Sequence, residues 1–524
     1  MFENERKKMK VKEYLKENKN LIYDKLIFLI ELVISLILGI AIYKISYKYQ
    51  DFNYISVPNT IVLILSVIML IIILILNTKK YKDKIEKIFL TYIIPIGIMF
   101  VVLLPPDNTP DEEGHMFKAY DLSLGNFITE LGEKNEGDIY VPQEMLNLAL
   151  EKKELDYSKI HSYMQKEANY DELVPVQTIA KTYFFINYIP GGITFFVCRQ
   201  LNVNILLACY IVKLFNFILF LIIGYYCIKK IPFGKLLLAI YMFLPMILQQ
   251  ACSLSADAII NNLAILFIVY NLKLLYQEQD LTFKQTIIYY ILTISISLCK
   301  YVYFPITFMS LLLIKNKNIN KKKRNKLIII SIIISILSAV GWFIFTQNYV
   351  DVRAYIKEAN VKPIEQAKYI LSNPLNYLGI FINTINEYGG YYLLTFVGSE
   401  LGYANIIIPQ IYILIMLFGV FLLPFIENNQ KSLDKIQKIL MVAIFIILVV
   451  LIITGLYLTW SPLQYDKVAG VQGRYFIPVM IILLLTMISK KKNIDIKNLH
   501  IKYFILYFIL NIIPIITIYQ NFMK

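Results

Sequence analysis

Apolar runs long enough to cross a bilayer recur along the whole of this chain. The hydrocarbon layer is roughly 30 Å thick, so a helix needs about 20 apolar residues to span it. A soluble protein has no use for so much apolar side chain: 58% of the 524 residues are hydrophobic and only 17% are charged. The expected fold class is all-α, a polytopic transmembrane helical bundle of about thirteen spans. The spans are expected at 25–46, 57–77, 87–104, 205–228, 233–250, 257–276, 284–299, 301–315, 326–347, 405–426, 437–459, 474–489 and 501–520.

The formal net charge of +15 invites a nucleic-acid reading, which its distribution excludes. Basic residues cluster in short loops between apolar runs, at Lys79-Lys80, Lys229-Lys230, residues 315–326 and Lys490-Lys491-Lys492. That is the pattern of cytoplasmic loops under the positive-inside rule. It sets the N-terminus inside and the C-terminus outside a cytoplasmic membrane. The first twenty residues are polar and lysine-rich and the first apolar run is long, so no cleavable signal peptide is expected. The five cysteines lie in or beside apolar runs without metal spacing and are read as buried thiols.

Five regions follow. Residues 1–104 hold the basic tail and three spans, and 105–204 form an outward acidic loop. Residues 205–347 carry the central spans, 348–404 form a second outward loop, and 405–524 hold the last spans. From residue 106 to residue 180 there are sixteen acidic residues against six basic ones, a balance suited to the outer side. Within this loop Met145, Leu148, Leu155, Ile160 and Met164 recur at helical spacing and predict amphipathic surface helices. Residues 182–197 are apolar but contain Tyr188-Ile189-Pro190-Gly191-Gly192. If they spanned, seven basic residues between Lys315 and Lys326 would fall outside. A re-entrant or surface-lying helix broken at Pro190 is therefore expected.

The chemistry concentrates where the third span ends. Pro105, Pro106 and Pro110 stop a helix, and Asp111-Glu112-Glu113 follow with His115 close behind. Three further polar features converge on the same outer face: Ser255-Ala256-Asp257, Lys300-Tyr301, and Gln472-Gly473-Arg474-Tyr475. A carboxylate there is able to deprotonate an acceptor hydroxyl or bind a cation. Arg and Lys hold phosphate, Arg through its two-pronged guanidinium. A lipid-linked phosphate-sugar brings phosphate to headgroup level, where both needs meet.

Pro110-Asp111-Glu112-x-x-His115 with Ala119-Tyr120-x-Leu122-x-x-Gly125 resembles the opening motif of DUF2142, a family of bacterial multispan membrane proteins. Val471-Gln472-Gly473-Arg474-Tyr475-Phe476-x-Pro478, Tyr188-Ile189-Pro190-Gly191 and Ser255-x-Asp257 resemble its later motifs. The resemblance runs from about residue 104 to 488, and that family is similar to GT-C membrane glycosyltransferases. It implies a GT-C-like bundle that takes sugar from a polyprenyl-phosphate donor, inverts it, and passes it to a glycan or lipid acceptor outside the cell membrane. It implies Asp111 and Glu112 as catalytic carboxylates, and as ligands of a divalent cation if one is used. His115, Asp257, Lys300, Gln472, Arg474 and Tyr475 are implied to bind substrate, with Lys300 and Arg474 on the donor phosphate.

Each residue also has a plainer reading. Asp111, Glu112 and Glu113 suit a solvated turn, and His115 suits packing better than metal binding. Asp257 suits an N-cap, Lys300 a snorkelling side chain and Arg474 a surface anchor. Glu31, inside the first span, suits pairing with another helix. The alternative functions are a transporter or flippase of lipid-linked glycans, and a non-catalytic subunit of surface-polysaccharide assembly.

Overall fold

The computed structural model describes residues 2–48, 57–129, 139–346, 360–490 and 496–523. Helices dominate it. Eight are long and apolar enough to cross a membrane: Ile22–Ser46 within the first helix, Pro58–Lys80, Ile85–Leu103, Ile205–Lys230, Asp257–Leu275, Lys321–Thr346, Lys435–Thr459 and Leu499–Phe522. Four shorter apolar helices accompany them, Phe283–Cys299, Tyr301–Lys315, Gln410–Ile426 and Gly473–Met487. Tyr301–Lys315 winds as a 3₁₀ helix of 15 residues. At about 2.0 Å rise per residue such a winding reaches roughly 30 Å, as far as a 20-residue α-helix.

Loop contacts sort the helix ends into two sets. At one end Lys323 bonds Asp280 at 2.7 Å, Tyr276 donates to the Ser432 carbonyl at 2.7 Å, and the Gly234 amide donates to Asn429 at 2.7 Å. The basic loops gather there. At the other end Arg474 reaches the Pro110 carbonyl at 2.9 Å, and Asn187 reaches the carbonyl of Cys299 at 2.8 Å. Helices Phe283–Cys299 and Lys435–Thr459 start on capping boxes, in which Thr282 with Gln285 and Asp434 with Gln437 satisfy otherwise orphaned amides.

Three expectations are corrected. Residues 233–250 form two short helices, Lys235–Tyr241 and Pro245–Ala251, because Pro245 cannot donate to the turn before it and opens a new helix. The region 348–404 is no plain loop: it holds helix Pro363–Ser372, helix Pro374–Val397 of 24 residues, and a hairpin of Glu400–Leu401 with Ile406–Ile407. Its first part, to 359, lies outside the described residues. Pro190 opens helix Ile189–Gln200 instead of breaking it, and the 12 residues are too short to span. The outer loop adds one short antiparallel pair, Ile139–Pro142 with Leu173–Val176, to a fold that is predominantly helical, as expected. Between those strands, helices Gln143–Leu150 and Tyr157–Met164 bury Met145, Leu148 and Ile160, as the spacing predicts.

Candidate functional site

The proline-rich turn starts where helix Ile85–Leu103 stops. The Leu104 carbonyl there accepts from the buried ammonium of Lys213, which reaches in from helix Ile205–Lys230. Two residues take left-handed backbone, Asp107 (φ 62°) and Asp111 (φ 66°), a conformation that Asp tolerates better than most side chains. The turn thereby reverses into the motif helix, Glu112–Ser123.

Glu112 and Asp111 then part ways. Glu112 is 1% exposed, and its carboxylate accepts from the amides of Thr109 at 2.9 Å and Leu254 at 2.6 Å. Burial pushes its pKa up, while the charge of Lys213 and the two amides pull against that rise. It ties the turn to the loop before helix Asp257–Leu275. Asp107, 0% exposed beside it, is held well above the usual carboxylate range by burial, with Glu113 and Glu112 adding to the effect.

Asp111 faces the other way. Its side chain is 61% exposed, and it pairs with the Arg474 guanidinium at 2.6 Å. Arg474 is 4% exposed and lies 4.0 Å from Asp257, which pairs with Lys300 at 3.0 Å. Asp111, Arg474, Asp257 and Lys300 therefore form a row of alternating charge. Tyr475 packs under both cations, its ring centre 4.9 Å from the Lys300 ammonium and 5.1 Å from the Arg474 guanidinium. The row answers three of the plainer readings. Lys300 does not merely snorkel, Arg474 is no surface anchor, and the N-cap of its helix is Ala256, not Asp257.

The arginine sits in a turn that needs glycine. A Cβ on Gly473 would lie 2.1 Å from the Phe396 amide and 2.5 Å from the Tyr392 carbonyl. The turn is thus pressed against the backbone of helix Pro374–Val397, so this glycine admits protein backbone. Gly191 admits the side chain of Ala119 on the motif helix, which a Cβ would meet at 2.9 Å.

His115 lies one turn inside the motif helix, bonded through Nδ1 to the Tyr188 hydroxyl at 2.7 Å and set edge-on to Tyr183. Burial lowers its pKa to about 4, against the opposing pull of Asp111 and Asp257, so the imidazole is neutral at pH 7. Gln472 lines an open cleft with Pro110 and Arg474. Asp111 and Glu112 point to separate partners, and among the described residues no group of three or more His, Cys, Asp or Glu side chains is placed to hold a metal.

Sequence reasoning missed Asp107, and it missed Gln250, Tyr391 and Glu400, which line the same cleft as Arg474. Asp107 carried a signal, since Asp after two prolines suits a left-handed turn. Glu400 carried a weaker one, as a single carboxylate between Gly398 and Gly402. Glu31 does pair with another helix, accepting from Asn77 at 3.3 Å.

Fold and site together define a multi-pass helical membrane protein with an alternating charge row at one end of its bundle. The chain belongs to the DUF2142 family, described as "predicted membrane protein", whose sequence model matches residues 94–483. That stretch contains all four members of the charge row. No curated protein and no solved structure matches the chain.

Proposed function

We propose that this protein is a membrane glycosyltransferase of GT-C type that moves a sugar from a polyprenyl-phosphate donor to a glycan or lipid acceptor, with inversion. In this reading the chain crosses the cytoplasmic membrane thirteen times, with the N-terminus inside and the charge row outside. One observation carries the proposal: Asp111 and Arg474, 363 residues apart, meet at 2.6 Å in a row that also holds Lys300, beside a cleft. A transporter would set its ionisable groups along one path. Glu31 instead pairs with Asn77 and Lys213 caps the Leu104 carbonyl, while Lys273 stacks on Tyr270 at 5.3 Å.

At rest the two cations are shared with Asp111 and Asp257. Asp111 is the exposed member, so it yields Arg474 when a donor phosphate arrives. Phosphate then takes the Arg474 fork and Lys300, and the freed carboxylate accepts the proton of the acceptor hydroxyl. The acceptor oxygen bonds to the anomeric carbon from the face opposite the phosphate. The carbon–oxygen bond to phosphate breaks with its electron pair on oxygen, and polyprenyl phosphate leaves, its charge held by Arg474 and Lys300. Glu112 supports this from below by fixing the turn that carries Asp111.

The test is sugar transfer by the protein in lipid nanodiscs, with a panel of polyprenyl-phosphate sugars and envelope glycans as acceptors. Asp111→Asn should slow transfer by at least about a hundredfold, with the melting temperature kept. Unchanged transfer in this variant would end the reading.

A further inference from the structure

The cleft beside Arg474 has a chemistry of its own. Its floor is set by Gln249, whose amide group donates to the Gly402 carbonyl at 3.2 Å and accepts from the Gly402 amide at 2.7 Å. On that fixed floor two buried groups lack partners. The side-chain oxygen of Gln250, a residue with 0% exposure, has no donor, and its nitrogen reaches only the Met246 sulfur at 3.6 Å. The Nε of Arg474 has no acceptor. Buried polar atoms left unpaired cost of order 1–3 kcal/mol each, so an orphan acceptor and an orphan donor lining one cleft indicate a ligand that pairs both.

The remaining lining narrows its class. Glu400 contributes a carboxylate, aligned by a 2.8 Å bond from the Tyr391 hydroxyl, and Tyr391 adds a flat ring. One carboxylate stands against one guanidinium, which is already paired with Asp111. Such a cleft repels a second phosphate, and an acyl chain would leave its polar groups unpaired. It suits a neutral ring with several hydroxyls, able to donate to Gln250 and Glu400 and to accept from Arg474.

We infer that this cleft is the acceptor subsite and that it takes a neutral saccharide, recognised by Gln250, Glu400 and the unpaired Nε of Arg474. The inference rests on the transferase reading for its role, though saccharide binding is measurable without transfer. The probes are photoreactive diazirine glycosides of glucose, galactose, mannose and N-acetylglucosamine, applied to the full chain in nanodiscs, with crosslinks mapped by mass spectrometry. The expected result is labelling within 246–250, 391–404 and 472–474 that excess unlabelled glycoside displaces. Gln250→Ala and Glu400→Gln should each lower it at least tenfold, and Lys323→Ala, at the opposite end of the bundle, should leave it intact. Labelling elsewhere, labelling indifferent to both variants, or no displaceable labelling with any of the four sugars overturns the inference. The wild-type map needs no variant to fold. Mapped labelling without transfer to any acceptor would sink the transferase reading and keep the subsite; transfer with labelling mapped elsewhere would do the reverse.

Discussion

The motif turn separates two charged layers that differ in almost every physical respect. Above it, Asp111 pairs with Arg474 while its own side chain stays 61% exposed. Below it, Glu112 and Lys213 are each 1% exposed, bind backbone, and feel each other only through their charges. Water reaches the Asp111 end of the upper pair and lets it exchange partners at little cost, while the buried Arg474 keeps Asp257 beside it. The lower charges have no such freedom, because either one alone there would be stranded. Two adjacent carboxylates thus differ in kind, one pairing at the surface and one tying the turn from within. The difference arises where the helix begins, since residue 111 is its left-handed cap and residue 112 its first turn.

The contrast is tested hardest by truncating each acid. Glu112→Ala leaves the amides of Thr109 and Leu254 unpaired and Lys213 without its counter-charge, and should cost about 3–5 kcal/mol of stability. Asp111→Ala should cost about 1 kcal/mol or less. Denaturant unfolding in detergent measures both, and a larger loss at Asp111 would break the distinction between the layers.

A smaller effect sharpens the boundary between them at His115. Its pKa is about 4 in the folded chain against an ordinary value of 6.5, so the unfolded chain binds the proton first as pH falls. Stability from this group is whole above pH 6.5 and is lost progressively down to about pH 4, by about 3 kcal/mol in all. Tyr183 and Tyr188 touch the ring, and Asp111, Asp257, Arg474 and Lys300 act on it electrostatically. His115→Phe cannot titrate, so the stability gap between it and the wild type should narrow by that amount from pH 7 to pH 4. Parallel curves would mean that the imidazole is charged, or wet, in the folded state.

The long helices were legible because lipid imposes a length that local propensity does not. The run at 205–228 appears as Ile205–Lys230 and that at 257–276 as Asp257–Leu275. The fold was illegible where backbone geometry, not hydropathy, decides. Met242-Phe243-Leu244 is apolar throughout, so the break before Pro245 leaves no trace in the pattern. Helix Pro374–Val397 hides behind Asn, Tyr and Gly residues that read as loop. At the site, Asp111, Asp257, Lys300 and Arg474 stood out because charge at a membrane edge is costly, and the structure brings them together. The opposite directions of Asp111 and Glu112 were not readable, since neighbouring acids share one sequence environment. Glu400 was lost with the misread loop that carries it.

The smallest effect compares the layers most directly. A double-mutant cycle on Asp111 and Arg474, read as folding stability, should give a coupling of about 0.5–1 kcal/mol in dilute buffer. It should fall further at 1 M salt, where the screening length is about 3 Å. The same cycle on Glu112 and Lys213 should give a larger coupling that hardly responds to salt, because neither side chain meets the solution. Equal salt sensitivity in the two cycles would put both pairs in the same medium. Asp111 would then have no advantage over Glu112 in giving up its partner to an incoming phosphate.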